Sequence, residues 1–390
     1  MNSGGKSMTV SRQGLHRFSQ AAVLAACTVL GFTAARAEEI KVGVPLSISG
    51  PVAFAGTKMK DAMQLAFDEI NSQHFLGANT LSPVFADDQS SQPQAISVTR
   101  QLALRDRVSA IVGYTASNIC QAALPVAQEL KVPTLQADCV VPGLDDVGDY
   151  VYSAVRPSVG YVEALIDKLV PARNVKTVAI LYQRENPVFS NLAGVAQKRF
   201  EKDGAQVVDM EVATSGADAD FSAQMTKAQA KNPDVLLILL LGGQVGPAMI
   251  QARQAGMTKT IFLGEQNFDT VDVRKVAGPD AGNSYYPSHW YAGSPVPQNV
   301  AFVKAFKERY KYEPDTFSTN GYNAVWLMAQ IIKKAGSGDR EAIKAAMGSV
   351  GTMFTPFGTN GETHFEHRMA VLQPFFFIIG SDGSVSLFKD

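Results

Sequence analysis

Two successive series of short apolar runs, separated by longer segments with helical spacing, constrain this chain more than any other feature. Ile40, Val42 and Val44 alternate with Lys41 and Gly43, and Leu46 leads into the turn-rich Ser47-Ile48-Ser49-Gly50-Pro51, the pattern of a strand and its exit loop. Met59, Met63, Ala66 and Ile70 then recur at helical spacing, with Ala62 and Leu65 widening the stripe, which predicts an amphipathic helix over residues 57–71. The same alternation predicts strands near 81–86, 109–113 and 133–136, with helices near 93–105 and 118–130 between them. It restarts with a strand at 177–182, a helix over 190–202, and strands near 206–211, 234–241 and 260–264. Residues 235–241 are continuously apolar, as in a central strand covered on both faces. Beyond residue 286, helices are expected over 299–310, 321–334 and 339–347, then strands at 374–379 and 384–388 around the turn Ser381-Asp382-Gly383. Strands alternating with helices dictate an α/β fold with parallel sheets, and the restart dictates two doubly wound lobes.

The N-terminus reads differently. Lys6, Arg12 and Arg17 precede an apolar run at 21–32 and the small-residue triplet Ala35-Arg36-Ala37, the order of a secretory signal peptide. That run is shorter than the roughly 20 residues a membrane-spanning helix needs, so cleavage between Ala37 and Glu38 is expected. Leu24-Ala25-Ala26-Cys27 also fits the signal for a lipid-modified Cys27, which is the alternative. The chain beyond residue 37 is too long for one ordinary core. Without the leader's four basic residues, 31 basic face 36 acidic side chains, not the surplus of a nucleic-acid binder. An exported chain with Cys120 and Cys139 left is a candidate for one disulfide between them, the alternative being two buried thiols.

Several short segments, taken in order, resemble the branched-chain amino acid class of periplasmic binding proteins, the leucine/isoleucine/valine-binding family with the type I fold. They are Ile40 to Val44 leading to Ser49-Gly50-Pro51, Asp87-Asp88, Gly113 to Ser117, Ala252-Arg253-Gln254-Ala255-Gly256, and Gly321-Tyr322-Asn323-Ala324. The resemblance implies two lobes joined by three hinge crossings, placed near Arg156, Ser288 and Glu362. The N-terminal lobe would then comprise 38–156 plus 288–361, and the C-terminal lobe 157–287 plus 362–390. Ligand would lie between them, beyond the carboxyl ends of the strands, where open parallel sheets bind.

Within Gly113-Tyr114-Thr115-Ala116-Ser117-Asn118, a strand hands over to a helix whose free N–H groups attract an anion. The resemblance implies that Ser117 holds the ligand's carboxylate; by itself Ser117 reads more readily as a simple helix cap. Tyr114 and Thr115 belong to the same candidate loop. In Gln136-Ala137-Asp138-Cys139-Val140, Val140 has no donor where the family presents a threonine, while Asp138 either accepts an ammonium or caps a turn, and Cys139 is its neighbour. The family's ammonium-binding acid aligns with Gln266, or with Glu265 in a register one residue off. Phe54, Tyr114, Phe189 and Tyr322 are aromatic candidates for the pocket wall, with core packing as the other reading.

Gly242-Gly243-Gln244-Val245-Gly246 follows a buried strand but lacks the spacing and lysine of a nucleotide loop, and reads as a cleft-edge loop. His364-Phe365-Glu366-His367 has no further ligand set with recognised metal spacing and reads as a solvated hairpin. No G-x-S-x-G elbow is present. A hydrolase is therefore the remote reading, and no enzyme, metal or cofactor is expected. The expected function is the periplasmic substrate-binding component of an ABC importer for a small carboxylate, aliphatic amino acid or aromatic acid. Its partners would be an inner-membrane permease and its ATPase, with no nucleic acid, and the protein a monomer. A periplasmic ligand sensor for a membrane receptor is the alternative.

Overall fold

The structure is a computed structural model and describes residues 1–6, 37–140, 143, 146–213 and 220–388, with only the backbone at 271 and 272. The predicted apolar leader and Cys27 lie outside the described residues. Met1–Ala37 and Glu38–Asp390 are separate units, and every element named here belongs to the second.

The first series is β1 (Glu39–Leu46), α1 (Ala53–Ser72), β2 (Thr80–Asp87), α2 (Gln92–Arg100), β3 (Ala110–Gly113), α3 (Ser117–Glu129), β4 (Thr134–Gln136) and β5 (Val151–Ser153). After α4 (Val159–Arg173) comes the second: β6 (Thr177–Gln183), α5 (Pro187–Lys202), β7 (Gln206–Ala213), α6 (Ser222–Gln229), β8 (Val235–Leu239), α7 (Gly242–Gln254), β9 (Ile261–Leu263), α8 (Val271–Ala277) and β10 (Ser284–Ser288). Helices α9 (Pro297–Tyr310), α10 (Thr316–Ala335) and α11 (Arg340–Met347) come next. Six short strands close the chain: β11 (Met353–Phe354), β12 (Glu362–Thr363), β13 (Phe365–Glu366), β14 (Met369–Ala370), β15 (Phe375–Ile379) and β16 (Val385–Leu387).

Strands β1 to β5 lie parallel in the order β2-β1-β3-β4-β5, and β6 to β10 repeat it as β7-β6-β8-β9-β10. The lobes are thus topological equivalents, with β1 matching β6, β3 matching β8, and β4 matching β9. In this winding the crevice opens beside the first and third strands of each sheet, where the order reverses. The central position of β8 explains its unbroken apolar sequence. Val235, Leu237 and Leu239 join one apolar cluster, and Leu236 and Ile238 join another on the opposite face.

The chain changes sheets between β5 and β6 and again after β10, since α10 packs on α1 and on β3 of the first sheet. The third change differs from the expected position near Glu362. Strands β13 and β14 extend the first sheet, with β14 parallel to β5, and only β15 and β16 join the second, so the change falls between Ala370 and Phe375.

Two helices start a full turn or more before their apolar spacing indicates. Helix α1 begins directly after Val52, which puts Phe54 in its first turn, not in an exit loop. Helix α10 begins at Thr316 because Asp315 accepts the Ser318 amide at 3.0 Å, an N-cap that adds a turn ahead of Gly321. Gly321 itself lies where a Cβ would come within 2.8 Å of the Met59 carbonyl oxygen, so its absent side chain lets α10 approach α1. The expected cleft-edge loop at Gly242 is instead the first turn of α7.

Arg253, in α7, accounts for its motif by fastening the second lobe. Its guanidinium donates to the carbonyls of Thr260 at 2.8 Å, Gly282 at 2.6 Å and Asp280 at 3.3 Å, and also to that of Met257, and it stacks 3.8 Å from the Phe262 ring centroid.

Candidate functional site

A cavity of about 370 Å³ lies between the two sheets, walled by residues just beyond the carboxyl ends of β1, β3 and β4 in one lobe and β6, β8 and β9 in the other. Thr115, Ser117 and Asp138 face it from the first lobe, and Phe189, Glu265 and Gln266 from the second. Phe54 also lines it, edge-on to Phe317 with ring centroids 5.7 Å apart, and a Cβ on Gly242 at the start of α7 would lie 3.8 Å from the same ring.

The loop after β3 is set by Tyr114, whose φ of 66° is left-handed backbone that side chains other than glycine seldom adopt. Its ring holds that conformation from below. It is fully buried and its hydroxyl pairs with Thr99 Oγ1 at 2.8 Å, which places Tyr114 in the core and away from the cavity wall. Thr115 Oγ1 accepts the Ser47 amide at 3.1 Å, and Ser117 Oγ accepts the Val140 amide at 3.2 Å. Both hydroxyls keep a proton to donate. Ser117 is not the cap of α3. It is the first residue of the helix, and Ala116, which holds the cap position, makes no capping hydrogen bond with its side chain. By contrast α5, which also opens on the cavity, has its Val188 and Phe189 amides taken by Asn186 Oδ1.

The loop after β4 carries Asp138, which caps no turn among the described residues. Asp138 Oδ1 accepts from Asn320 Nδ2 of α10, and Asn320 Oδ1 lies 2.6 Å from His289 Nε2. Burial raises the Asp138 carboxyl well above the usual carboxylate range; Asn320 opposes this, while Glu265 and Asp315 add to it. Cys139 points away from the cavity and is bonded to Cys120, their Cα atoms 6.4 Å apart. The disulfide ties the first turn of α3 to the Asp138 loop.

In the second lobe both aligned candidates reach the wall. Glu265 is buried and caps a short 3-10 turn by accepting the Asn267 amide at 3.1 Å; burial pushes its carboxyl up to about 7. Gln266 beside it is half-buried. Among the described residues that line the cavity there are three acids, Asp138, Glu185 and Glu265, and no lysine, arginine or histidine.

Tyr322 is absent from the wall. Its hydroxyl donates to Glu69 Oε2 at 2.5 Å and its ring lies 4.4 Å from that of Phe302, so it joins α10 to α1 and α9. Phe317, from the capped first turn of α10, takes the place expected for it; Asp315 was the available signal, since an N-cap there puts Phe317 in the opening turn. Asn186, Leu241 and Asn267 also line the cavity and were not singled out by sequence. The His364 segment forms the β13–β14 hairpin, with His367 and Arg368 both at positive φ in its turn. Among the described residues no group of three or more His, Cys, Asp or Glu is arranged to hold a metal.

The sequence profile of a family described as periplasmic binding protein matches residues 39–378. A leucine-, isoleucine-, valine-, threonine-, and alanine-binding protein of Pseudomonas aeruginosa is 26% identical over 356 residues, covering 90% of this chain and 92% of its own. Among solved structures, the branched-chain amino acid transporter substrate binding protein LivJ of Streptococcus pneumoniae, in complex with isoleucine, gives a TM-score of 0.81 at 25% identity, over 90% of this chain and 100% of that one. A solute binding protein of an ABC transporter from Rhodopseudomonas palustris, in complex with 3,4-dihydroxy benzoic acid, gives 0.80 at 20% identity, over 90% and 96%. At that identity the likeness is one of fold.

Proposed function

The chain belongs to the periplasmic binding protein family, and from that premise we propose that it is the substrate-binding component of an ABC importer, working outside the cytoplasm on a small carboxylate ligand held between its lobes. Within that class we favour an α-amino acid over an aromatic acid. One observation carries the choice: two buried carboxylates, Asp138 and Glu265, face the cavity, and no basic side chain does among its described lining residues.

The ligand's carboxylate fits the start of α3, where the helix dipole and the hydroxyls of Ser117 and Thr115 favour an anion. Its ammonium fits the carboxylates. Burial makes both carboxyls hold their protons more tightly than usual, and an ammonium would draw them into charged, paired forms, whereas an acid without an amine would bring its own charge and no partner for either; burying unpaired charge costs several kcal/mol. The side chain would lie among Phe54, Phe189 and Phe317. Export by cleavage after Ala37, a permease and ATPase as partners, and a monomeric state complete the reading.

Ligand bound between lobes should favour the closed form, so small-angle scattering should show compaction at saturation. The reading itself is tested by a thermal-shift panel of aliphatic and aromatic α-amino acids, benzoate-like and cinnamate-like acids, and short amides. At a thousandfold excess over Kd a ligand adds about 4 kcal/mol, enough for several degrees. Protection by α-amino acids supports it; protection by amine-free acids alone, or by uncharged amides alone, contradicts it.

A further inference from the structure

Asp138 and Glu265 hold equivalent positions in the two lobes. Each is the second residue after its strand, β4 for Asp138 and β9 for Glu265, and those strands occupy the same place in their sheets. The two carboxylates therefore approach one another from opposite sides of one cavity. We propose that Asp138 is a specificity-determining residue: with Glu265 it makes a cationic group on the ligand the condition for filling the cleft, and Asn320 and His289 position it for that role. This rests on the proposed amino acid specificity and deepens it.

The geometry behind Asp138 fixes each atom. Because Asn320 Nδ2 donates to Asp138, the Asn320 amide oxygen is the atom turned to His289, 2.6 Å from Nε2. An amide oxygen only accepts, so Nε2 carries the proton and His289 is the neutral Nε2–H tautomer. Burial pushes the imidazole down to about 4, which keeps it neutral at ordinary pH. The ring is held edge-on by Phe357 at 4.6 Å, and its backbone carbonyl accepts the Gly358 amide at 3.0 Å. Since His289 directly succeeds β10, the chain of contacts runs from the cavity wall to the second passage between the sheets.

The charged surroundings of Asp138 do not supply its partner. Glu265 faces it from the second lobe, and Asp315 repels it from the start of α10. Lys58 of α1 is engaged by Asp315 at 2.9 Å. An ammonium between Asp138 and Glu265 would pair with both in their charged forms and bridge the lobes, whereas an amine-free acid would leave both carboxyls without a cation and the lobes without that bridge.

The test uses matched pairs that differ only by the amine: L-leucine with 4-methylpentanoate, and L-phenylalanine with 3-phenylpropanoate, titrated calorimetrically into the exported protein. The wild-type protein is expected to prefer the amine of a pair by about a hundredfold or more. Asp138→Asn keeps the shape and the Asn320 contact, and should shrink that ratio by about tenfold or more. His289→Leu should narrow it too, and His289→Gln, which can still donate to Asn320 Oδ1, should restore it. A general structural defect would weaken both members of a pair alike and leave the ratio standing. If the wild-type protein prefers the amine and Asp138→Asn keeps the full preference, this inference falls and the amino acid reading survives. If the wild-type protein shows no preference for the amines, or holds none of the four, both fall.

Discussion

Ser117 Oγ accepts the Val140 backbone amide at 3.2 Å, so the first residue of α3 fastens the loop that comes after β4. The contact uses a lone pair and leaves the hydroxyl proton for a ligand. Ser117→Ala should weaken amino acid binding by about 1.5 to 3 kcal/mol, the range for a hydrogen bond to a charged group. Calorimetric titration measures this directly. An unchanged Kd would reduce Ser117 to a loop fastener.

Glu265 makes the free protein sensitive to pH. Its folded value of about 7 lies above the ordinary 4.5, so the stability it contributes is full below about pH 4.5 and is lost as pH rises through 7. Asp269, which burial raises to about 6, has the same sign over a lower window. His289 has the opposite sign: lowered by burial from 6.5 to about 4, it contributes fully above pH 6.5 and less as pH falls. Above pH 6.5 the histidine is therefore constant, and the change comes from Glu265 together with Asp138, whose carboxyl burial raises in the same direction. The melting temperature of the ligand-free protein should fall between pH 6.5 and 8. Glu265→Gln, which still accepts the Asn267 amide, should lessen that fall and add about 3 kcal/mol at pH 8. A variant no more stable than wild type at pH 8 would contradict the assignment.

Both lobes were legible because their central strands are covered on two faces and must be apolar throughout, as in β8, while the helices between them carry one apolar stripe. Helix starts were less legible. A helix begins where a cap satisfies its first amides, and Asp315 supplies one a full turn before the apolar spacing of α10 becomes regular. That turn carries Phe317 and Asn320, so both escaped notice. The site was half legible: Ser117, Asp138 and Glu265 can be found from position, but an aromatic residue near a strand end reads alike whether it enters the core, as Tyr114 does, or the cavity, as Phe189 does. The third passage between sheets was misplaced because β13 and β14 are two-residue strands with no period to read.

The Cys120–Cys139 bond should matter to the site as well as to stability, since it joins the start of α3 to the Asp138 loop. Replacing both cysteines by serine should cost about 3 kcal/mol in urea unfolding. It should also weaken ligand binding at temperatures where the variant stays folded. Two titratable thiols in the denatured, unreduced wild-type protein would rule the bond out.

Arg253 fills four carbonyl positions with one planar guanidinium. Lysine offers a point charge without that fork, so Arg253→Lys should destabilise the fold by about 2 to 3 kcal/mol through carbonyls left unpaired. Denaturant melts of the two proteins compare them, and a shift within error would show those contacts to be dispensable. Ligand affinity, measured where both are folded, should hardly change because Arg253 does not line the cavity.

The central claim concerns where the two ends of the ligand lie, and a crystal structure of the protein with an α-amino acid from the thermal-shift panel tests it most directly. The account predicts the ligand's carboxylate at the start of α3 within hydrogen-bonding distance of Ser117 Oγ, and its ammonium between Asp138 and Glu265. A ligand bound the other way round, or one whose ammonium touches neither carboxylate, would contradict it.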